Sequence, residues 1–306
     1  VSEGSIGDGG GREFERVAGA LRARMADGTY PLESFLPAQR ELAKEFNVSR
    51  DTVQRVLREL MNDGWIKTRQ GQGSKVVWVQ QVHSPTSSKS ADGMVSLRPI
   101  IEHAFERSTV TMDVFTLTSE SLEAHLRLQA ERIRGGQIAP KRIALRMLLP
   151  SESLWLPYWR TEDGRQDDVL RERYLGLLRR YTTSVRSVLR SLEAEELVSS
   201  AGLEIRRVQL IPPFKLYLLN GTEAVLGPYK AKKRTIVLEE GGEIEDALDV
   251  VGPAAGLTHH VKDDNSNSQG TVFVNSWQDW FDSAWDLLTE PAQPTLSGER
   301  EVLEQP

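Results

Sequence analysis

Apolar residues between Phe14 and Val77 recur at helical spacing in three separate stripes. Phe14, Val17, Leu21 and Met25 make the first, Leu42 and Phe46 the second, and Val53, Val56, Leu57 and Leu60 the third. Asn47 and Val48 interrupt the second stripe, Ser49 is placed to cap the third, and Asp63-Gly64 ends it. These signals predict a helix over 38–46 and another opening at Ser49. Two short β-rich runs, 65–69 and 74–79, flank the turn Gln70-Gly71-Gln72-Gly73 and predict a hairpin. Three helices followed by a two-stranded wing form a small module over 12–80.

Beyond residue 94 the pattern changes. Runs 111–117 and 142–149 read as strands, with helical spacing of Leu122, Leu126 and Ile133 between them over 119–135. A long charged helical stretch covers 167–198. Short β-rich runs follow at 204–211, 215–219, 224–226 and 235–239, then a strand-like 271–274 and an aromatic helix at 277–288. Trp277, Trp280, Phe281 and Trp285 share one face of that helix, which is expected to dock on the domain core; a dimer contact is the alternative. The acidic runs at 239–240 and 243–246 read as solvated. Alternating strands and helices predict an α/β fold of two domains: a disordered leader at 1–11, the module at 12–80, a polar linker at 81–94, an α/β effector or dimerisation domain at 95–289 and a disordered tail at 290–306.

Charge sharpens this division. The net charge of the 306 residues is −6. Residues 12–80 hold 12 Lys+Arg against 9 Asp+Glu, a balance of +3; residues 1–11 carry −2 and residues 81–306 carry −7. A phosphate backbone responds to the nearest face rather than to the molecular total, so the module and not the whole chain suits a polyanion. The absence of cysteine excludes disulfides and thiolate metal sites. No run is long and apolar enough for a membrane helix, and the leader lacks secretory-signal features. A cytoplasmic, nucleoid-associated protein without cofactor or metal is the expectation.

The chemistry concentrates at the start of the predicted second helix of the pair. Ser49, Arg50, Asp51, Thr52, Gln54 and Arg55 would face base edges if that helix entered a major groove. Arginine can pair with guanine through two hydrogen bonds and glutamine likewise with adenine, which suits Arg50 and Gln54. Arg40 and Lys44 would meet phosphate or a flanking base, and Arg69, Gln70, Gly71 and Gln72 offer a glycine-loosened wing to the backbone. The motifs Tyr30-Pro31, Leu36-Pro37 with Arg40–Ala43, Val48–Arg50 with Thr52-Val53, Leu57 with Leu60 and Gly64–Ile66, and Arg69–Gly71 with Gly73 together resemble the winged helix-turn-helix of GntR-family transcription regulators. The resemblance covers about a fifth of the chain and implies a homodimer that represses transcription from a double-stranded DNA operator. Two departures stand out: Pro31-Leu32-Glu33 lacks the family's usual glycine, and Gln54 stands where arginine is common.

For the second domain, the segment 212–229 resembles a phospholipase D-type strand and turn. Lys215 is kept, Asn220 stands for the aspartate and Pro213 for the histidine nucleophile. Proline has no such chemistry, so the resemblance implies a catalytically dead domain whose pocket, with Lys215 and Asn220, would hold a small anionic effector or nothing at all. His260-x-Lys262 lies in polar loop-like sequence and is read as coincidence. A small α+β domain like chorismate lyase stays open as the runner-up. The alternative functions are a phosphodiesterase-like enzyme fused to a DNA-binding module, and a constitutive repressor whose second domain only dimerises.

Overall fold

The computed structural model describes residues 9–26, 28–62, 65–69, 73–77, 81–83, 94–238, 242–251 and 256–290. The N-terminal module consists of α1 (Gly9–Ala26), α2 (Gln39–Phe46), α3 (Arg50–Asn62) and the antiparallel pair β1 (Ile66–Arg69) and β2 (Gly73–Val76). The three predicted stripes meet in its core, where Val17, Leu21, Leu42, Val53, Val56, Leu60 and Trp65 are buried. Helix α1 starts at Gly9, so residues 9–11, expected in a disordered leader, are helical. The wing is also wider than predicted. The Leu36 amide donates to Ser74 O (2.8 Å) and the Val76 amide to Ser34 O (2.8 Å), which lays the chain before α2 along the free edge of β2.

The second domain is built on an eight-stranded mixed sheet in the order β4-β3-β12-β9-β8-β5-β6-β7. Its parallel block is β5 (Thr109–Phe115), β6 (Arg142–Pro150) and β7 (Ser200–Val208), linked by the crossover helices α5 (Glu120–Arg134) and α6 (Asp167–Ala194). The remaining strands are β8 (Phe214–Leu219), β9 (Glu223–Pro228), β12 (Leu257–Val261), β3 (Gln81–His83) and β4 (Met94–Ser96). Strand β3 corrects the expected linker: residues 81–83 pair in parallel with β12 instead of spanning solvent. Helices α4 (Leu97–Phe105), α5 and α6 cover one face and α7 (Gln269–Leu287) the other. The period-2 pattern of β8 explains the sandwich, since Tyr217 and Leu219 join the α4–α6 core while Leu216 and Leu218 join the α7 core.

One reading needed correction by tertiary context. Residues 271–274, with threonine, valine and phenylalanine, form the first turns of α7 and not a strand. Ser268 caps this helix by accepting from the Thr271 amide at 3.1 Å. The α7 face carrying Val274, Phe281 and Trp285 is buried against β5, β6 and β8, and each such large side chain contributes about 1.5–3 kcal/mol. Trp277 and Trp280 pack on Phe214 at ring separations of 4.9 and 5.8 Å, so the aromatic face docks on its own domain. The acidic run 243–246 is part of β11 (Glu243–Val251), paired with β10 (Lys230–Val237) in a separate hairpin; Ile244 and Ala247 anchor it in the core while Glu243, Glu245 and Asp246 stay exposed.

Candidate nucleic-acid interface

The ends of α2 set the angle between the helix pair. The Ala38 amide donates to Glu41 Oε2 at 3.1 Å. Asn47 takes the left-handed conformation with φ 52°, which closes the helix and reverses the chain. Ser49 then caps α3, its Oγ accepting from the Thr52 amide at 3.0 Å. With the apolar stripe turned inward, Ser49, Arg50, Asp51, Gln54 and Arg55 are exposed along the first turns of α3, and Arg40 and Lys44 are exposed on α2. The Arg55 guanidinium carbon lies 5.3 Å from the Phe14 ring centre, so part of its side chain is stacked on α1.

Thr52 departs from the sequence reading. It is 7% exposed and its hydroxyl is 2.9 Å from Ser49 Oγ, so it braces the helix start from inside. Its position three residues after the cap was the available signal. Arg69 ends β1 opposite Gly73. Gly73 has φ 87°, a conformation glycine adopts without steric cost. Gln70, Gly71 and Gln72 lie outside the described residues.

A polar, exposed helix start on a capped helix-turn-helix is the geometry that known DNA-binding families share. Residues 14–76 match the family model described as bacterial regulatory proteins, gntR family. The N-terminal module is a GntR-family helix-turn-helix. The chain is 28% identical over 116 residues to the transcriptional regulator GmuR of Bacillus subtilis (strain 168), covering 37% of this chain and 48% of GmuR. It is 27% identical over 192 residues to the probable transcriptional regulator PhnF of Escherichia coli (strain K12), covering 56% of this chain and 72% of PhnF. Among solved structures, a GntR family transcriptional regulator from Listeria monocytogenes is 28% identical, with 21% of this chain and 56% of that chain covered and a TM-score of 0.21. The chain spans about half or less of the length of most of the curated relatives it matches.

The GntR module is tied to the second domain by buried charge. Glu59, on the core side of α3, receives Arg22 Nη2 at 2.6 Å and Arg180 Nη1 of α6 at 2.7 Å; Arg22 is 1% and Glu59 7% exposed. Trp65 Nε1 donates to the Glu120 carboxylate at the start of α5, and Arg22 Nε lies 3.7 Å from the same carboxylate. Ala124 of α5 completes the module's own core. Sequence reasoning missed this joint. Its only trace was Glu59 sitting at helical spacing from Val56 on the apolar side of α3. A cleft of about 1050 Å³ lies alongside, between α1, α5 and α6. Four of its five arginines, 127, 134, 179 and 180, are paired with Glu123, Glu195, Glu152 and Glu59, and the fifth, Arg16, donates to Phe46 O at 2.6 Å, so it is not a ready anion site.

The two effector residues expected from sequence do not converge. Lys215 opens β8 and is 4% exposed, its Nζ donating to Ser121 Oγ at 3.0 Å and lying 5.7 Å from the Tyr229 ring centre. It borders a cavity of about 50 Å³ with Glu120, Arg173, Arg234 and Asp249, and forms no ion pair among the described residues. Burial pushes the Lys215 amine down to about 8, against the pull of Glu120. His125, buried on α5, is held neutral by burial and by Arg98 and Lys215, its pKa lowered to about 4. Asn220 lies past the far end of β8. Its Oδ1 accepts from the Thr111 amide (2.9 Å), its Nδ2 donates to Ala104 O (3.0 Å) and its φ is 53°, so both ends of its amide are engaged in building the β8–β9 turn.

Among the described residues no cluster of His, Cys, Asp or Glu could hold a metal ion, and no helix is long and apolar enough to cross a membrane.

Proposed function

We propose that this chain is a GntR-type transcription regulator, a repressor that binds a double-stranded operator as a homodimer through α3 and the wing. The observation that carries the reading is the capped start of α3, which leaves Arg50, Gln54 and Arg55 exposed above a closed core. Residues in that position reach base edges when the helix lies in a major groove. Arg50→Ala is expected to lose roughly 1–3 kcal/mol of operator affinity and to relax preference at one base pair. Fluorescence anisotropy on duplexes from the chain's own genomic neighbourhood measures it; equal affinity for variant and parent on every duplex removes α3 from the groove.

The second domain serves as a non-catalytic, phospholipase D-like sensor of a small anion. Support comes from the alternation of β5, α5, β6, α6 and β7, from Lys215 on β8, and from Pro213 where that resemblance would need a nucleophile. The buried Lys215 ammonium forms no direct ion pair among the described residues and feels Glu120 only across the cavity, and an oxyanion placed there would meet it more closely. The cavity, about 50 Å³, suits a small free anion better than a sugar phosphate. Inorganic phosphate should raise the melting temperature of the parent and not of Lys215→Met. An equal rise in both proteins, or none, leaves the second domain with dimerisation alone.

A further inference from the structure

The first strand of the β10–β11 hairpin carries a dense run of cations. Residues 81–306 have a net charge of −7, yet β10 begins Lys230-Ala231-Lys232-Lys233-Arg234 and contains no acid. Two of these cations are engaged, Lys233 with Glu162 and Arg234 with Asp249. Lys230 and Lys232, two apart and therefore on one side of the strand, are exposed and have no ion-pair partner among the described residues. Asp249 faces Lys232 across the ladder, but its carboxylate is 2% exposed and held by Arg234, so it does not reach outward to neutralise Lys232.

The hairpin belongs to neither the eight-stranded sheet nor the wing. It begins where β9 ends, at the edge of the sheet that also carries the start of α5 and the joint with the GntR module. Cα atoms of β10 and α3 approach within 8 Å. The strand that carries the open pair of lysines thus passes close to the helix proposed to enter the groove. Unpaired lysines in solvent gain little from surface carboxylates, whereas a phosphate backbone bears a charge at about every 1.7 Å of duplex axis.

We propose that the face of β10 bearing Lys230 and Lys232 is a second DNA-contact surface, which grips backbone phosphates flanking the segment read by α3. The inference rests on the DNA-binding reading above and extends it: the second domain takes part in binding the operator directly.

The test compares the full chain with the Lys230→Gln/Lys232→Gln double variant on one duplex across 50–200 mM KCl. Each lost phosphate contact lowers the slope of log affinity against log salt by about 0.9. The double variant should therefore flatten the slope by about 1.8, weaken specific and nonspecific DNA alike, and keep the base preference that Arg50→Ala relaxes. Lys141→Gln/Arg142→Gln removes the same charge at the opposite end of the parallel block, where both residues are exposed, and should leave the slope unchanged. If the parent binds DNA and the β10 variant keeps its slope, or if both double variants flatten it equally, the surface is overturned while the α3 reading stands. If the parent binds no duplex at low salt, the DNA-binding reading fails and this surface falls with it.

Discussion

Glu59→Gln is expected to destabilise the chain by roughly 3 kcal/mol, more than any other single change on α3 that keeps side-chain volume. Glu59 accepts from two arginines, Arg22 at 2.6 Å and Arg180 at 2.7 Å, and both carboxylate oxygens are in use. A neutral amide offers one acceptor oxygen and turns an NH₂ group toward the second guanidinium. Arg22 is 1% exposed, so its charge cannot be rehydrated when the carboxylate is lost. Glu120 at 3.7 Å and the Tyr181 ring at 5.1 Å compensate only in part. Urea titration gives the magnitude. Adding Arg22→Met to Glu59→Gln should restore much of the loss, because removing both partners of a buried pair costs far less than removing one. A loss under about 1 kcal/mol in the single variant would show that the joint is hydrated in solution. Arg180 belongs to the second domain, so the same variant loosens the attachment of α3 to α6.

The contrast between the two domains shows what kind of information a sequence displays. The GntR module was legible because each of its decisions is local. Ser49 caps α3, Asn47 takes the left-handed turn, and Phe46 and Leu60 fall at helical spacing, all within windows of a few residues. Thr52 was misread because burial of one polar residue in a cap depends on how α3 seats on the core, not on spacing. In the second domain the parallel strands β5 and β6 were visible as apolar runs, while β3 was hidden in a polar stretch and takes its place through long-range pairing with β12 and β4. Residues 271–274 have strand-like composition, and the buried face of α7 overrides that local preference. Lys215 was paired with Asn220, five residues along the chain, but the two have different roles: one borders a cavity and the other fastens a turn.

Lys215→Met is expected to stabilise the protein at pH 7 in phosphate-free buffer, by up to roughly 3 kcal/mol. The sign follows from linkage. Burial lowers the folded-state pKa of Lys215 from 10.5 to about 8, so between these values the unfolded chain holds a proton that the folded chain has released. Folding stability contributed by this residue therefore rises with pH across the window. Below about pH 8 the folded protein carries the charged amine at its full desolvation cost, and above the unfolded value that cost is gone. Methionine fills similar volume without charge, and forfeits only the Ser121 hydrogen bond and the attraction to Glu120. The advantage of the variant should be largest at pH 7 and should shrink steadily toward pH 10. Tyr174, Tyr217 and Tyr229, raised by burial, act in the opposite direction above pH 10, but they are common to both proteins and cancel in the difference. Paired urea titrations at pH 7, 8, 9 and 10 measure the effect. A pH-independent difference would mean that Lys215 is already neutralised by a group at hand, and a less stable variant would mean that its charge is satisfied in the folded state. Retaining a costly ammonium in a core that methionine would fill makes physical sense where an anion arrives to meet it, which is the role proposed for the cavity.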